Sequence, residues 1–297
     1  VEKLRLDGIA DDVVARYGLD RLPLDRPFTS TERLLRLDGK SAIVTGGGGD
    51  GLGYATCHRL AEQGATVAVV DIDEQAAGRT ASELTERWQT EAFAVRADVG
   101  DWDQVQRAVA AVAERAGRVD LLVNNVGGSG GVGGDGRRPG ITSLLAEMSP
   151  EHIETLVRIN LTGVLYMTRA VLDHMLPQRS GRIINIASEG GRVGLPGSSV
   201  YSSCKAGVIG LTRTLAAELG PLGISSVCVS PGLLVRQAIL TALADSAGGT
   251  LDGSFGRTTL GRMALMDDVA SMVAFLASPA GEFVHGTTVS VGGGLSD

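Results

Sequence analysis

Residues 41–56 read SAIVTGGGGDGLGYAT: an apolar, β-branched run, a glycine-rich turn, then a helix-forming stretch. Glycine serves such a turn in two ways. It takes positive φ without strain, and it lets the backbone approach a pyrophosphate with no Cβ in the way. The phosphates would rest on the positive N-terminal end of a helix beginning near Gly51 and Leu52. Gly46, Gly47, Gly51, Leu52 and Gly53 are therefore the expected phosphate-loop residues. A glycine run alone could be a flexible turn. A strand before it, a helix after it and an acidic residue ending the next strand make it specific.

Working outward, short apolar runs alternate with longer amphipathic stretches. Strands are expected at 41–45, 66–71, 92–97, 119–124, 182–187, 224–230 and 287–291, and helices at 52–63, 73–88, 102–116, 150–175, 200–219 and 267–277. Nearly continuous apolar strands suit a parallel sheet buried on both faces. Strands alternating with helices imply right-handed βαβ units. The expected fold is α/β: a single Rossmann-type, doubly wound parallel sheet of about seven strands flanked by helices on both faces, over residues 39–297. Residues 1–38 form an N-terminal extension, read either as a surface segment or as an oligomer or lid arm. The glycine-rich stretch 127–140 is either a surface loop or part of a pocket rim.

Composition narrows the function. Of 297 residues, 43% are hydrophobic, which excludes intrinsic disorder, and a net charge of −7 argues against nucleic acid or an anionic membrane as partner. Three cysteines (Cys57, Cys204, Cys228) are odd in number and lack metal-ligand spacing. They fit a reduced, intracellular protein with no metal site. With no apolar run of ~18 residues and no signal-like start, a cytoplasmic location is expected.

Asp71 closes the second expected strand, in VAVVDID, with Ile72 after it. A carboxylate there can accept both hydroxyls of an adenosine ribose and repels a 2′-phosphate. No arginine stands immediately beside it, so NAD is expected over NADP; the alternative is a solvated strand-end aspartate. Asp98, in RADVGD, can accept from the adenine amino group while Val99 packs on the ring. Otherwise Asp98 caps the helix at 102, a task Gly100–Asp101 could also serve.

Further along, NNVG at 124–127, Asn160 in RINLTG, Ser188 in INIAS, YSSCK at 201–205 and Pro231–Gly232 follow the glycine loop in one order. Together these motifs resemble the short-chain dehydrogenase/reductase family over roughly residues 37–297. Tyr-x-x-x-Lys alone recurs by chance, but with Ser188 thirteen residues earlier and the dinucleotide loop it is specific. Tyr201 and Lys205 share one helix face at that spacing. A free phenol has a pKa of ~10, and bringing it to about 7 takes roughly 4 kcal/mol of phenolate stabilisation. A lysine cation ~4 Å away supplies about that at an effective dielectric near 20.

The resemblance implies that Tyr201 handles the hydroxyl proton and that Ser188 holds the substrate oxygen. It implies that Lys205 also bonds the nicotinamide ribose, and that Asn160 contacts a water or a backbone carbonyl near Lys205, connecting the site to bulk protons. Further cofactor contacts are implied for Asn124 beside the adenosine ribose, for Val126 and Gly127, and for Pro231 and Gly232 under the nicotinamide. Two departures from the family pattern stand out. Four residues, Gly47 to Asp50, separate Gly46 from Gly51 where relatives have three. Either the turn bulges by one residue or Gly47 takes the first-glycine role, with the Asp50 side chain pointing outward. Arg236 stands where many relatives carry a threonine that contacts the nicotinamide carboxamide. Anchoring then falls to backbone groups such as those of Leu234 or Val235. Arg236 itself either binds an anionic substrate group or is an exposed helix-start arginine. Residues 233–262 are expected to form the substrate loop.

The leading expectation is an NAD(H)-dependent oxidoreductase interconverting a secondary alcohol and a ketone of small-molecule size. Its alternative is a 3-oxoacyl-thioester (acyl carrier protein or CoA) reductase. YSSCKAGVIGLTRTLAAEL and LGRMALMDDVASMVAFLAS resemble that subgroup, whereas Asp71 fits its usual NADPH preference poorly. A dinucleotide-sensing scaffold is the non-enzymatic alternative, and the Asn160, Ser188, Tyr201 and Lys205 set argues against it. Helices 150–175 and 200–219 carry Ala, Leu and Val on more faces than one sheet contact buries, so a homotetramer, or at least a dimer, is expected.

Overall fold

Alternate residues of a strand face opposite sides, and in this chain each side finds its own set of helices. The computed structural model describes residues 9–19, 29–128, 144–235 and 258–295. The chain forms two compact units, Val1–Leu34 and Leu35–Asp297. Among its described residues the first holds two short helices, α1 (Asp11–Tyr17) and α2 (Thr31–Leu34). Asp11 and Asp12 in the first turn of α1 and Arg16 in its last complement the helix dipole.

The second unit is built on β1 (Ser41–Thr45), β2 (Thr66–Asp71), β3 (Ala92–Arg96), β4 (Leu121–Asn124), β5 (Gly181–Ile186), β6 (Ile224–Pro231) and β7 (Thr288–Val291). They form one parallel sheet in the order β3-β2-β1-β4-β5-β6-β7, so the winding direction reverses between β1 and β4. This unit starts upstream of β1: Leu37 is buried, and its amide donates to the Gln63 carbonyl.

Period-two alternation divides the core. Ala42, Val44, Val67, Val69, Leu121 and Val123 pack against α3 (Leu52–Glu62), α4 (Glu74–Trp88) and α9 (Met266–Ala277). Ile43, Ala68, Val70 and Leu122 pack on the other face, against α5 (Trp102–Ala116), α7 (Gly163–Gln178) and the end of α8 (Ser199–Leu219). The central strands β1 and β4 are buried on both faces, which is why they read as unbroken apolar runs. Among the described residues, no helix is long and apolar enough to cross a membrane.

The helix expected at 150–175 is not continuous. It comprises α6 (Pro150–Val157), a π-helical turn (Arg158–Thr162) and then α7. The Asn160 side-chain amide donates to the Leu156 carbonyl at 3.0 Å, and the Gly163 amide reaches back to Arg158. A side chain competing for the backbone ladder in this way favours a wide turn, a feature common at functional sites.

Candidate active site

In a doubly wound sheet the crevice opens at the carboxyl ends of the strands, where the strand order reverses. The cleft found there has a volume of about 500 Å³ and is lined from the tips of β1 to β6. The outermost of these strands, β3 and β6, stand five strand spacings apart, roughly 24 Å at ~4.8 Å each.

β1 delivers the chain into Gly46, which adopts φ +67° and donates its amide to the Val70 carbonyl at 2.7 Å. Gly53 packs so closely that a Cβ there would collide with the Gly46 carbonyl oxygen and approach Asn125 Nδ2 to 2.6 Å. Gly46, rather than Gly47, is thus the loop glycine that packs against the head of α3. Gly47, expected among the phosphate contacts, does not line the cleft. Its α-carbon faces Val69 and Cys57, where a Cβ would lie 2.8 and 2.9 Å from their side chains. Gly48, Gly49 and Asp50 line the rim instead, and Asp50 is exposed.

The head of α3 is left open. Its N-cap is Gly51, with no side-chain cap, and Leu52 and Gly53 line the cleft. By contrast, α4 and α5 are capped by the carboxylates of Asp73 and Asp101, which accept from Ala76 N and Gln104 N. Cap duty for α5 thus falls to Asp101 rather than Asp98. An uncapped helix start beside a Cβ-free backbone is a fitting cradle for a diphosphate.

Beyond it, Asp71 is fixed by two amides, Gly48 N to Oδ2 at 3.0 Å and Asp73 N to Oδ1 at 3.1 Å. Asp98 is fixed likewise, by Gly100 N at 2.8 Å and by Arg158 Nη1 at 2.8 Å. Asp71, Ile72, Asp98, Val99 and Arg158 all line this end of the cleft.

Asn124 does not reach the cleft. It is buried on the α7 side, its amide donating to Thr168 Oγ1 and Asn185 Oδ1 at 3.1 and 2.9 Å. Its neighbour Asn125 lines the cleft and donates to the Thr45 and Gly46 carbonyls at 2.9 and 3.3 Å. Strand parity is the reason: Asn124 shares a face with Leu122, so the residue beyond the strand tip is the one that turns into the crevice. Val126 and Gly127 line it as well.

The other end gathers Ser188, Tyr201, Lys205, Pro231, Gly232 and Leu234. Ser188 follows β5, and its Oγ accepts from Gly190 N at 3.1 Å, which leaves its hydroxyl proton to be donated. Tyr201 and Lys205 lie one turn apart on α8, with Lys205 Nζ 5.7 Å from the Tyr201 ring centre. Lys205 is buried, donates to the Ile186 carbonyl at 2.9 Å, and has its pKa lowered to about 8 by desolvation. Gly127 admits this packing: a Cβ there would stand 2.8 Å from Lys205 Nζ and 2.7 Å from Asn160 Oδ1.

Asn160 lies behind the wall rather than in it. It is fully buried; its Oδ1 accepts from Gly128 N and its Nδ2 donates to Gly128 O, both at 3.0 Å. Arg236, the loop stretch 129–140 and most of 233–262 lie outside the described residues. Reading from motifs missed Asn125 and Arg158. Strand parity could have found the first, whereas nothing in the local spacing marks the second.

A family profile described as short chain dehydrogenase matches residues 40–245. The chain is 34% identical to the 3-oxoacyl-[acyl-carrier-protein] reductase FabG of Thermotoga maritima over 263 residues, 88% of this chain and 99% of the relative. Its structure is similar to that of a 3-ketoacyl-(acyl-carrier-protein) reductase from Brucella melitensis complexed with NADH, at TM-score 0.75 and 30% identity, covering 88% and 100% of the two chains. It is also similar to a gluconate 5-dehydrogenase from Burkholderia cenocepacia in complex with NADP and tartrate, at TM-score 0.80 and 32% identity, covering 90% and 99%.

Proposed function

The chain belongs to the short-chain dehydrogenase family, and on that premise we propose that it interconverts 3-oxoacyl and 3-hydroxyacyl thioesters, using NAD(H) in preference to NADP(H). The observation that carries the chemistry is the meeting of Ser188, Tyr201 and Lys205 with the open α3 cradle in one cleft. A bound nicotinamide dinucleotide would supply or take up the hydride at the carbinol carbon. The chain's own residues hold the oxygen and move its proton.

In that reading Ser188, oriented by Gly190 N, donates to the substrate oxygen. Tyr201 gives its phenolic proton in reduction and takes it back in oxidation. The Lys205 ammonium stands 5.7 Å from the Tyr201 ring centre, and a cation so close favours the phenolate. Asn160 acts through the backbone, clamping Gly128 while Gly127 lies against the ammonium.

Asp71 supports NAD(H). Its carboxylate is pinned by two amides, and among the described residues the cations lining the cleft are Arg158, which is paired with Asp98, and Lys205 at the far end. A 2′-phosphate would thus meet a negative charge. The thioester class is supported by the likeness to the FabG relative and to the Brucella reductase, and the latter's complex with NADH supports reading Asp71 and a thioester substrate together.

The test is a substrate panel of 3-oxoacyl thioesters, simple ketones and polyols, each with NADH and NADPH, followed at the reduced-nicotinamide absorbance. The proposal expects the highest kcat/KM for a thioester with NADH. A polyol or plain ketone turning over faster would replace the thioester reading, and an NADPH preference would remove the role given to Asp71. Self-association into a dimer or tetramer is part of the same proposal. Ile153, Val157, Leu161 and Val200 line an apolar groove between α6 and α8, and light scattering would show whether a monomer exists at micromolar concentration.

A further inference from the structure

Asp98 and Arg158 meet at the end of the cleft remote from Tyr201. Asp98 comes from the loop after β3, and Arg158 opens the π-helical turn. Resting on the dinucleotide reading above, we infer that the two act together as a reader of the purine 6-position that accepts a 6-oxo group as well as a 6-amino group.

The argument is one of donors and acceptors. A carboxylate only accepts hydrogen bonds, and a guanidinium only donates them. Adenine presents an N–H donor at position 6, whereas hypoxanthine presents a carbonyl acceptor there with an N–H beside it. A lone aspartate at the purine edge would welcome the first and repel the second. Here the aspartate is not alone: Arg158 Nη1 donates to Asp98 Oδ2 at 2.8 Å, and both side chains line the cleft. That bond uses one of the five N–H donors of the guanidinium. Asp98 Oδ1 is held separately by Gly100 N at 2.8 Å, so the carboxylate keeps its orientation whichever base arrives.

Gly100 makes the arrangement possible. Arg158 lies across it, and a Cβ at that position would come within 2.8 Å of Arg158 Cγ and collide with the guanidinium. The acceptor and the donor are therefore fixed side by side, and a small in-plane shift of the base exchanges one partner for the other.

The experiment is calorimetric titration of the full chain with NADH and, separately, with reduced nicotinamide hypoxanthine dinucleotide. The native chain is expected to bind the two within about tenfold of one another. Arg158→Met should weaken the hypoxanthine dinucleotide at least tenfold more than NADH, and Arg158→Lys should recover most of that loss. Asp98→Asn, whose amide can donate to a carbonyl, should move the ratio the other way, and it keeps the inference falsifiable should Arg158→Met fold poorly. Equal weakening of both ligands in Arg158→Met, or an unmoved ratio in Asp98→Asn, would overturn the inference and leave Arg158 a structural ion pair. So would a native chain that binds the hypoxanthine form more than a hundredfold more weakly. Failure to bind NADH at all would overturn the dinucleotide reading itself, and this inference with it.

Discussion

Lys205 is almost wholly buried although it lines the cleft, and its ammonium has the Ile186 carbonyl 2.9 Å away. Among the described residues, no carboxylate pairs with it. An unfolded lysine titrates near 10.4, and this one at about 8. Between those values the unfolded chain binds the additional proton, so stability rises with pH across that window. The full cost of the buried charge, about 3 kcal/mol, applies below about pH 8 and is gone above ~10.4. Lys205→Met is therefore expected to melt at higher temperature than the native chain at pH 7, to lack its rise between pH 8 and 10, and to lose activity. A lower melting temperature at pH 7 would show that the Ile186 bond outweighs the charge. For Tyr201→Phe, removal of the proton donor predicts a kcat loss of 10²–10⁴-fold with the NADH dissociation constant unchanged in fluorescence titration. The meeting of the proposed catalytic residues was legible in sequence because their spacing is chemical: Tyr201 and Lys205 four positions apart share one helix face. Arg158 was not, because its partner Asp98 is sixty residues away, and only the folded sheet brings the two together.

At the scale of elements, the nearly unbroken apolar character of the runs foretold which strands exist and that both faces are covered. Strand parity also carried information that motif reading passed over. The same parity that puts Val44 and Val123 on one face turns Asn124 inward and leaves Asn125 for the crevice. The π-helical turn at Arg158–Thr162 could not be read in this way, because the helical period continues through it; it follows from the Asn160 side chain bonding to Leu156 and to Gly128. The additional residue in the glycine loop was legible, but which glycine meets the head of α3 was decided by packing of Gly53 against Gly46. A methyl group at that contact has nowhere to go. Gly53→Ala is expected to weaken NADH binding by tenfold or more in calorimetry and to lower the melting temperature. Unchanged affinity would mean that the loop relaxes without involving the cradle.

Over the whole molecule, the sheet is not uniformly joined. β1 and β4 pair at three positions, whereas β1 and β2 pair at five and β5 and β6 at six. Side chains reinforce that narrow seam at both ends. Asp120 accepts from Ser41 N and Lys40 Nζ at the base, and Asn125 donates to the Thr45 and Gly46 carbonyls at the tip. A dinucleotide reaching from Asp71 to Tyr201 would cross it. Amide hydrogen exchange in β1 and β4 is accordingly expected to slow more on adding NADH than exchange in β6 and β7. Uniform slowing would argue that the sheet opens as one unit. Thermal rupture of the ligand-free protein would then begin as a crack along the join between its two halves, and the coenzyme would serve as the rivet that closes it.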